Sequence, residues 1–422
     1  MKKICVLGLG YIGLPTASIF AANGFEVVGV DIDDSIVSLL NSGKIHIEEP
    51  GLKTLVQAAL NSKNLTVSSK PQEADVFIIA VPTPFKDDKK PDLSHVETAT
   101  KAILPFLRKG NLVILESTSP PGTTQNIVGE IIKESGLKPG TDIFLAHCPE
   151  RVLPGRILKE LIENDRIIGG VTKESAEKAA SLYKSVVQGR INLTNATTAE
   201  MVKLVENTYR DLNIAFANEL SIICEKIGIN VWEVIELANK HPRVNIHNPG
   251  PGVGGHCLAV DPWFIVANFP KEARLIKTAR LINDKMPEFV TNKILSLTKG
   301  ITNPKVTILG IAYKGDVDDT RESPAIKVIE LLKSNQKIPD IRIAIYDPHV
   351  KYSEYELSSF EEAFRKTDLI AILTDHKEFK YIDPEEVRKL VRRPVLFDTK
   401  NCISAKKWKN SGFNVLNITV KN

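Results

Sequence analysis

The run Lys3 to Leu7 (KICVL) followed by GLGYIG constrains this 422-residue chain more than any other stretch. A short apolar strand ending in G-x-G-x-x-G and opening into a helix starts a βαβ unit built to hold a dinucleotide. Gly8 permits the tight turn, Gly10 lets backbone approach a pyrophosphate, and Gly13 lets helix and strand pack closely. The helix N-terminus offers its unbonded N–H groups and positive dipole end to the phosphates. The helix should run to about Ala22 and stop at Asn23-Gly24, a C-cap signal. A second β-rich run, Phe25 to Val30, ends at Asp31, whose carboxylate is placed to accept the adenosine ribose hydroxyls. It would repel a 2′-phosphate, so NAD is favoured over NADP.

The same opening, uncharged from Ile4 to Ala22 after Lys2 and Lys3, superficially resembles a leader or membrane span. Gly8, Gly10, Gly13 and Pro15 interrupt it, so it reads as strand, turn and helix, and no membrane partner is expected. A net charge of +4 from 55 basic and 51 acidic residues gives no polyanion-binding surface, so nucleic acid is not expected either. The five cysteines, at 5, 148, 224, 257 and 402, form no CxxC pair and no even framework, which argues against disulfides and for a reducing, cytoplasmic setting. His241, His247 and His256 near Cys257 match no ligand spacing, so no metal is expected.

Strands and helices go on alternating. Ala74 to Pro82, Asn111 to Ser117, Ile143 to Ala146 and Asn164 to Gly170 read as strands, with Thr83 and Thr118 at the carboxyl ends where open parallel sheets bind ligands. A helix should begin near Thr123. The first domain closes near residue 190. Thr194 to Ile227 then holds neither proline nor glycine and predicts one helix of about 30 residues, ~45 Å long. It is apolar on more than one side, as suits a central packing element or a subunit contact. Lys203, Asn207 and Arg210 share one face of it, either as site residues or as a solvated polar face. Further helices are expected at Val231 to Lys240 and Lys271 to Leu297, within a central segment 191–300. The last segment, 301–422, restarts the pattern with strands at Lys305 to Gly310, Arg342 to Tyr346, Leu369 to Leu373 and Val395 to Phe397 and a helix at Ser323 to Ser334. Asp347 and DLIAILTD echo Asp31 and ADVFIIAVP, but GIAYKGDVDDTRESP has lost the phosphate fingerprint. The fold class is therefore α/β, with two Rossmann-like, doubly wound parallel-sheet domains joined by a long central helix and helical segment.

Between the helices lies NPGPGVGGHCLAVDPW, Asn248 to Trp263, expected to be loop throughout because of its glycines and prolines. Such backbone can approach a ligand closely, and a thiol presented there suits a covalent nucleophile; a structural turn with an incidental Cys257 is the other reading.

GLGYIG, VPTP at 81–84, ESTSPPGTT at 116–124, CPERVLPG at 148–155, AEMVKLVENTYRDLNIAFANEL at 199–220, HPRVN at 241–245 and the Cys257 segment together resemble the nucleotide-sugar 6-dehydrogenase family. CPERV, HPRVN and PGPGVGGHC are similar to the branch acting on UDP-N-acetyl-D-mannosamine more than to the UDP-glucose branch, with UDP-N-acetylglucosamine or UDP-glucose as alternatives. The resemblance implies an NAD domain, a helical segment making a homodimer or higher homo-oligomer, a UDP-sugar domain and a place in polysaccharide biosynthesis. It implies a C6 alcohol oxidised to a carboxylate with two NAD consumed, Cys257 as nucleophile, Lys203 as acid/base residue, and Asn207, Asp261, Thr118 and Glu150 assisting. NAD would meet Gly8, Gly10, Tyr11, Ile12, Gly13, Asp31, Thr83 and Thr118, with Arg321 at a cofactor of its own or a partner subunit. The UDP-sugar would meet Arg151, Val152, Lys203, Asn207, Arg210, His241, Arg243, Gly254, Tyr313, Lys314 and Lys400. Lys203, Asp261 and an activated water all stay open as acceptor of the first proton. A two-electron β-hydroxy acid dehydrogenase, or an NAD-binding protein without catalysis, would share the domain plan without needing the cysteine loop.

Overall fold

The computed structural model describes residues 3–419 except 87, 337, 339 and 352. The chain divides into two compact units, with the division between Glu206 and Asn207.

The first unit is built on strands β1 (Lys3–Leu7), β2 (Glu26–Val30), β3 (Leu65–Ser68), β4 (Val76–Ile79), β5 (Leu112–Leu115), β6 (Phe144–His147), β7 (Arg166–Gly170) and β8 (Ile191–Asn195). They form one sheet in the order β3-β2-β1-β4-β5-β6-β7-β8. All pairings are parallel except β6 with β7, where Ala146 faces Gly170 and His147 faces Gly169. Alternate residues of β1 feed opposite cores, Ile4 and Val6 into one and Cys5 and Leu7 into the other. A sheet covered on both faces explains why its central strands read as unbroken apolar runs. The order reverses direction at β1, which puts the glycine turn at the switch point where such sheets bind ligands.

The second unit carries β9 (Lys305–Leu309), β10 (Arg342–Tyr346), β11 (Leu369–Ile372), β12 (Val395–Asp398) and β13 (Asn414–Asn417). Their order is β10-β9-β11-β12-β13, with every pairing parallel. The turn after β9 repeats the turn after β1. Gly8 (φ 89°) donates its N–H to the Val30 carbonyl at 2.8 Å, and Gly310 (φ 85°) does the same to Tyr346 at 2.9 Å. The next N–H closes on a carboxylate in each, Leu9 on Asp31 at 2.9 Å and Ile311 on Asp347 at 2.7 Å. Asp347 is buried and also takes a bond from His376 Nε2 at 3.0 Å, whereas Asp31 is half-buried. Burial would raise the Asp347 pKa, but the imidazole and then the backbone N–H groups of Ile311 and Val350 overcome it and hold it at about 2.

The long helix spans Ala196–Ile227. Thr194, expected at its start, instead belongs to β8, whose exposed face accepts polar side chains. Val205, Tyr209, Phe216, Ile223 and Ile227, spaced four or seven apart, form one exposed apolar stripe along it. The start expected near Thr123 is a wide π-type turn, Thr124–Val128, before the helix Gly129–Lys133. No helix among the described residues is long and apolar enough to cross a membrane.

Candidate active site

In the first unit the three fingerprint glycines have separate reasons to lack a side chain. A Cβ on Gly8 would lie 2.7 Å from the Ala80 carbonyl oxygen, and one on Gly13 would lie 1.8 Å from that of Gly8. A Cβ on Gly10 would meet nothing within 4 Å, so the turn there faces open space. The helix Gly13–Ala22 is buried from Gly13 to Ala21, which fixes its N-terminus at the carboxyl edge of the sheet. Tyr11 and Ile12 lie on the rim of this turn, partly exposed. Asp31 is held by two backbone donors, Leu9 N–H on one oxygen and Asp33 N–H at 3.0 Å on the other, which leaves each oxygen a lone pair. Thr83 and Thr118 come together across the ends of β4 and β5, the Thr83 hydroxyl donating to the Thr118 carbonyl at 2.7 Å.

The segment after β6 is tied inward. Glu150 is buried, accepts the Arg151 N–H at 2.6 Å and pairs with buried Arg166 at 3.0 Å. The Arg151 guanidinium spans Glu206 at 3.0 and 2.5 Å and reaches the Asp165 carbonyl, with Val152 half-buried beside it. Lys203 is half-buried on the long helix.

The second unit holds the cysteine loop. It is irregular from Asn248 to Val260, but Asp261, Pro262 and Trp263, expected as loop, open the helix Asp261–Asn268, where proline suits a first turn that needs no N–H bond. The glycines approach protein. A Cβ on Gly254 would lie 2.3 Å from the Glu322 carbonyl oxygen, one on Gly255 (φ 82°) 2.7 Å from the Tyr313 ring, and one on Gly250 3.5 Å from Lys400 Nζ. The Gly255 N–H also donates to the Arg321 carbonyl at 3.2 Å. This clamp displays Cys257, the exposed cysteine of the five. Burial pushes the Cys5 thiol to about 11 and that of Cys148 to about 12, and it raises those of Cys224 and Cys402.

The Cys257 carbonyl accepts the Val260 and Asp261 N–H groups at 3.0 and 2.8 Å. That turn brings the buried Asp261 carboxylate to Asn207, whose Nδ2 donates to it at 2.6 Å. Burial, and then the negative charge of Asp319, raise the Tyr313 phenol. Asp319 holds the Arg321 guanidinium at 2.8 and 2.6 Å. Lys400 Nζ lies 3.5 Å from Asp375, and Arg210 and Lys314 are exposed. Arg210 helps burial to lower the His247 pKa. His241 and Arg243, both exposed, share a turn in which the Arg243 N–H reaches His241 Nδ1 at 3.3 Å.

Residues 2–187 match the NAD binding domain of the UDP-glucose/GDP-mannose dehydrogenase family, 197–285 its central domain and 307–405 its UDP binding domain. The chain belongs to this family. A UDP-N-acetyl-D-mannosamine dehydrogenase from Methanococcus maripaludis is 54% identical, with 98% of this chain and 96% of that one aligned. Among solved structures, the UDP-N-acetyl-mannosamine dehydrogenase of S. aureus is 50% identical with a TM-score of 0.91, covering 99% of each chain. A Pyrococcus horikoshii structure described as a UDP-D-ManNAc dehydrogenase is 44% identical with a TM-score of 0.92, covering 99% of each chain. The protein is thus an NAD-dependent dehydrogenase of this family, and the turn around Gly8, Gly10 and Gly13 has the open backbone and helix N-terminus that NAD requires.

Sequence reasoning missed the residues that support these family motifs. Asn218 accepts the Gly250 N–H at 2.9 Å and donates to Asn283 at 2.8 Å; Asn283 donates to Asp211, which is paired with Arg280. All four are buried, so this network anchors the start of the cysteine loop between two helices. The signal was present in Asp211 and Asn218, seven apart and so on one face of the long helix. Glu200, also buried, accepts the N–H groups of Gly122 and Thr124 at 2.5 and 2.7 Å and so caps the segment following Thr118. Glu116 closes β5 as a fully buried carboxyl that accepts bonds from Thr16 and Tyr183. Burial, opposed by the charge of Arg166, pushes its pKa up to about 7.

Proposed function

We propose that the protein oxidises UDP-N-acetyl-D-mannosamine at C6 to UDP-N-acetyl-D-mannosaminuronate in a four-electron reaction. The alcohol, two NAD⁺ and one water become the carboxylate, two NADH and three protons. The observation that carries this reading is the exposed Cys257 on a clamped loop in a chain whose other thiols are wholly or partly buried. A two-electron alcohol oxidation needs no such thiol; an aldehyde that must be oxidised again does. The names of the relatives at about half identity support the acetamido sugar.

Bound NAD supplies the acceptor for each hydride. Cys257 adds to the aldehyde carbon to give a thiohemiacetal, loss of hydride leaves a thioester, and water releases the acid and the thiol. Lys203 serves as acid/base residue for the sugar oxygen. Asn207, held by Asp261, donates to the charge that builds on that oxygen. Glu150 serves the hydrolytic water through the lone pairs left after its bonds to Arg151 and Arg166. Thr118 assists, and Arg151, Arg210, His241, Arg243, Tyr313, Lys314 and Lys400 supply the cations and donors that a nucleotide sugar needs.

On this reading 1–190 binds NAD, 191–300 supplies the helices and the cysteine loop, and 301–422 binds the UDP-sugar. The exposed stripe on the long helix supports a homo-oligomer, and dependence on NAD and a reduced thiol supports a cytoplasmic location. A panel of UDP-sugars with NAD, followed by NADH formation and product identification, tests it. Two NADH per uronic acid from UDP-N-acetylmannosamine is expected, with Cys257→Ala blocking the acid while NAD still binds. A Cys257→Ala protein that makes the acid at near-native rate refutes the thioester, and turnover of UDP-glucose without either acetamido sugar refutes the substrate.

A further inference from the structure

The loops after β9, β10 and β11 converge at the carboxyl edge of the second sheet, the side on which open parallel sheets hold ligands. Each brings one side chain to a common point: Asp316, His349 and Glu378. We propose that these three residues form a binding site for a divalent cation of the zinc class. It does not rest on the dehydrogenase reading.

The donor atoms of Asp316, His349, His376 and Glu378 lie within 4.8 Å of one another, the one such group among the described residues. His349 Nε2 stands 3.0 Å from a Glu378 oxygen and 3.8 Å from Asp316 Oδ1. Donors around a tetrahedral zinc with bonds of about 2.0 Å sit roughly 3.3 Å apart, between those two values. His376 is not itself free to ligate. Its Nδ1 accepts the Asp316 N–H at 3.0 Å and its Nε2 donates to Asp347 at 3.0 Å. With both nitrogens committed, its ring stacks on His349 at 4.7 Å and 23°, which limits how that imidazole can turn. Asp316 is likewise aimed: its backbone is left-handed (φ 61°), and its Oδ1 takes the Lys377 N–H at 2.9 Å.

Two carboxylates thus face one imidazole nitrogen. A cation there removes their mutual repulsion, with His349 ligating through Nε2 and carrying its proton on Nδ1. One nitrogen and two carboxylate oxygens match zinc far better than magnesium, which prefers an all-oxygen, largely hydrated shell. The cation would join three loops otherwise joined by hydrogen bonds, including the loop that carries Tyr313 and Lys314. No ligand spacing announces the site in sequence, because its members come from the loops after three separate strands.

The test uses the full chain carrying Cys257→Ser, which removes the exposed thiol as a competing zinc ligand, after chelator treatment. Titration calorimetry with Zn²⁺, and separately with Mg²⁺, is run on this parent and on the same chain with His349→Ala or Glu378→Gln. The parent is expected to bind one Zn²⁺ and to melt at higher temperature with it, and Mg²⁺ to give no comparable binding. Each substitution should weaken Zn²⁺ at least about tenfold, the lower range for disturbing a metal shell. Glu378→Gln preserves shape, so its result stands even if His349→Ala folds poorly. Absence of stoichiometric Zn²⁺ binding by the parent, or unchanged affinity in Glu378→Gln, overturns the site.

Discussion

Replacing Gly254 by alanine probes the clamp on the cysteine loop directly. The added Cβ would start 2.3 Å from the Glu322 carbonyl oxygen and 2.8 Å from Pro324 Cδ, where ordinary contact begins at 3.4 Å. The two segments must therefore part by about 1 Å. Neither obstacle is the tip of a flexible side chain: Glu322 is held left-handed at φ 51°, and Pro324 is fixed in the first turn of a helix. The loop must take up the shift, and Cys257 lies three residues further on. Misplacing a reacting group by about 1 Å costs on the order of 10²-fold in rate, and overpacking costs about 1–3 kcal/mol of stability. With NAD and UDP-sugar saturating, kcat for uronic acid should fall about 100-fold, while NAD affinity by equilibrium titration stays native, since the dinucleotide turn belongs to the first unit. A melt under the assay conditions confirms that the variant is folded. A folded Gly254→Ala protein with near-native kcat would show that the clamp does not position the thiol.

The fingerprint glycines should separate by phenotype: Gly13→Ala, with a Cβ 1.8 Å from a carbonyl oxygen, should fail to fold or melt far lower, whereas Gly10→Ala should melt as native and lose NAD affinity. Asp31→Asn should narrow the preference for NAD over NADP, because it removes the charge facing a 2′-phosphate; an unaltered protein that already uses both cofactors equally would remove Asp31 from that role. Glu116 has a folded pKa of about 7 against an ordinary value of 4.5, so the folded state holds the extra proton and stability should fall as pH rises from about 4.5 to 7, by ~3 kcal/mol, and then level off. Denaturant titrations across that range should show this decline in the native protein and its loss in Glu116→Gln; identical slopes would refute it.

What could be read from the residues follows from where they are buried. Strands covered on both faces, such as β4 and β5, announce themselves as unbroken apolar runs, and the GLGYIG turn is legible because close backbone contact admits only glycine. The strands that escaped are β3, β8 and β13, all at sheet edges, where LTVS, INLTN and NVLN mix polar residues into the pattern. In the site, Cys257 is marked by its glycine-rich segment and Asn207 by its face of the long helix, while Asp261 comes from the family resemblance. The network through Asn218, Asn283, Asp211 and Arg280 did not, because its meaning lies in contacts between residues more than 60 positions apart. The glycines before Cys257 suggest room for a ligand. Their neighbours are Tyr313, Glu322, Pro324 and Lys400, which sequence alone has no means of placing there.

Gly8 with Asp31 and Gly310 with Asp347 are the same turn built twice, and the second aspartate has an imidazole hydrogen-bonded to it at 3.0 Å. A carboxylate with lone pairs turned outward can staple a turn and also select what lies beyond it, while one covered by His376 can only staple. Grafting a dinucleotide fingerprint into the loop after β9 would therefore give phosphate room to enter but leave its ribose without an acceptor. His376 would have to be cut back first. That change would strip Asp347 of the hydrogen bond that most strongly favours its charged form, so the engineered pocket would gain its acceptor only by loosening the turn that supports it.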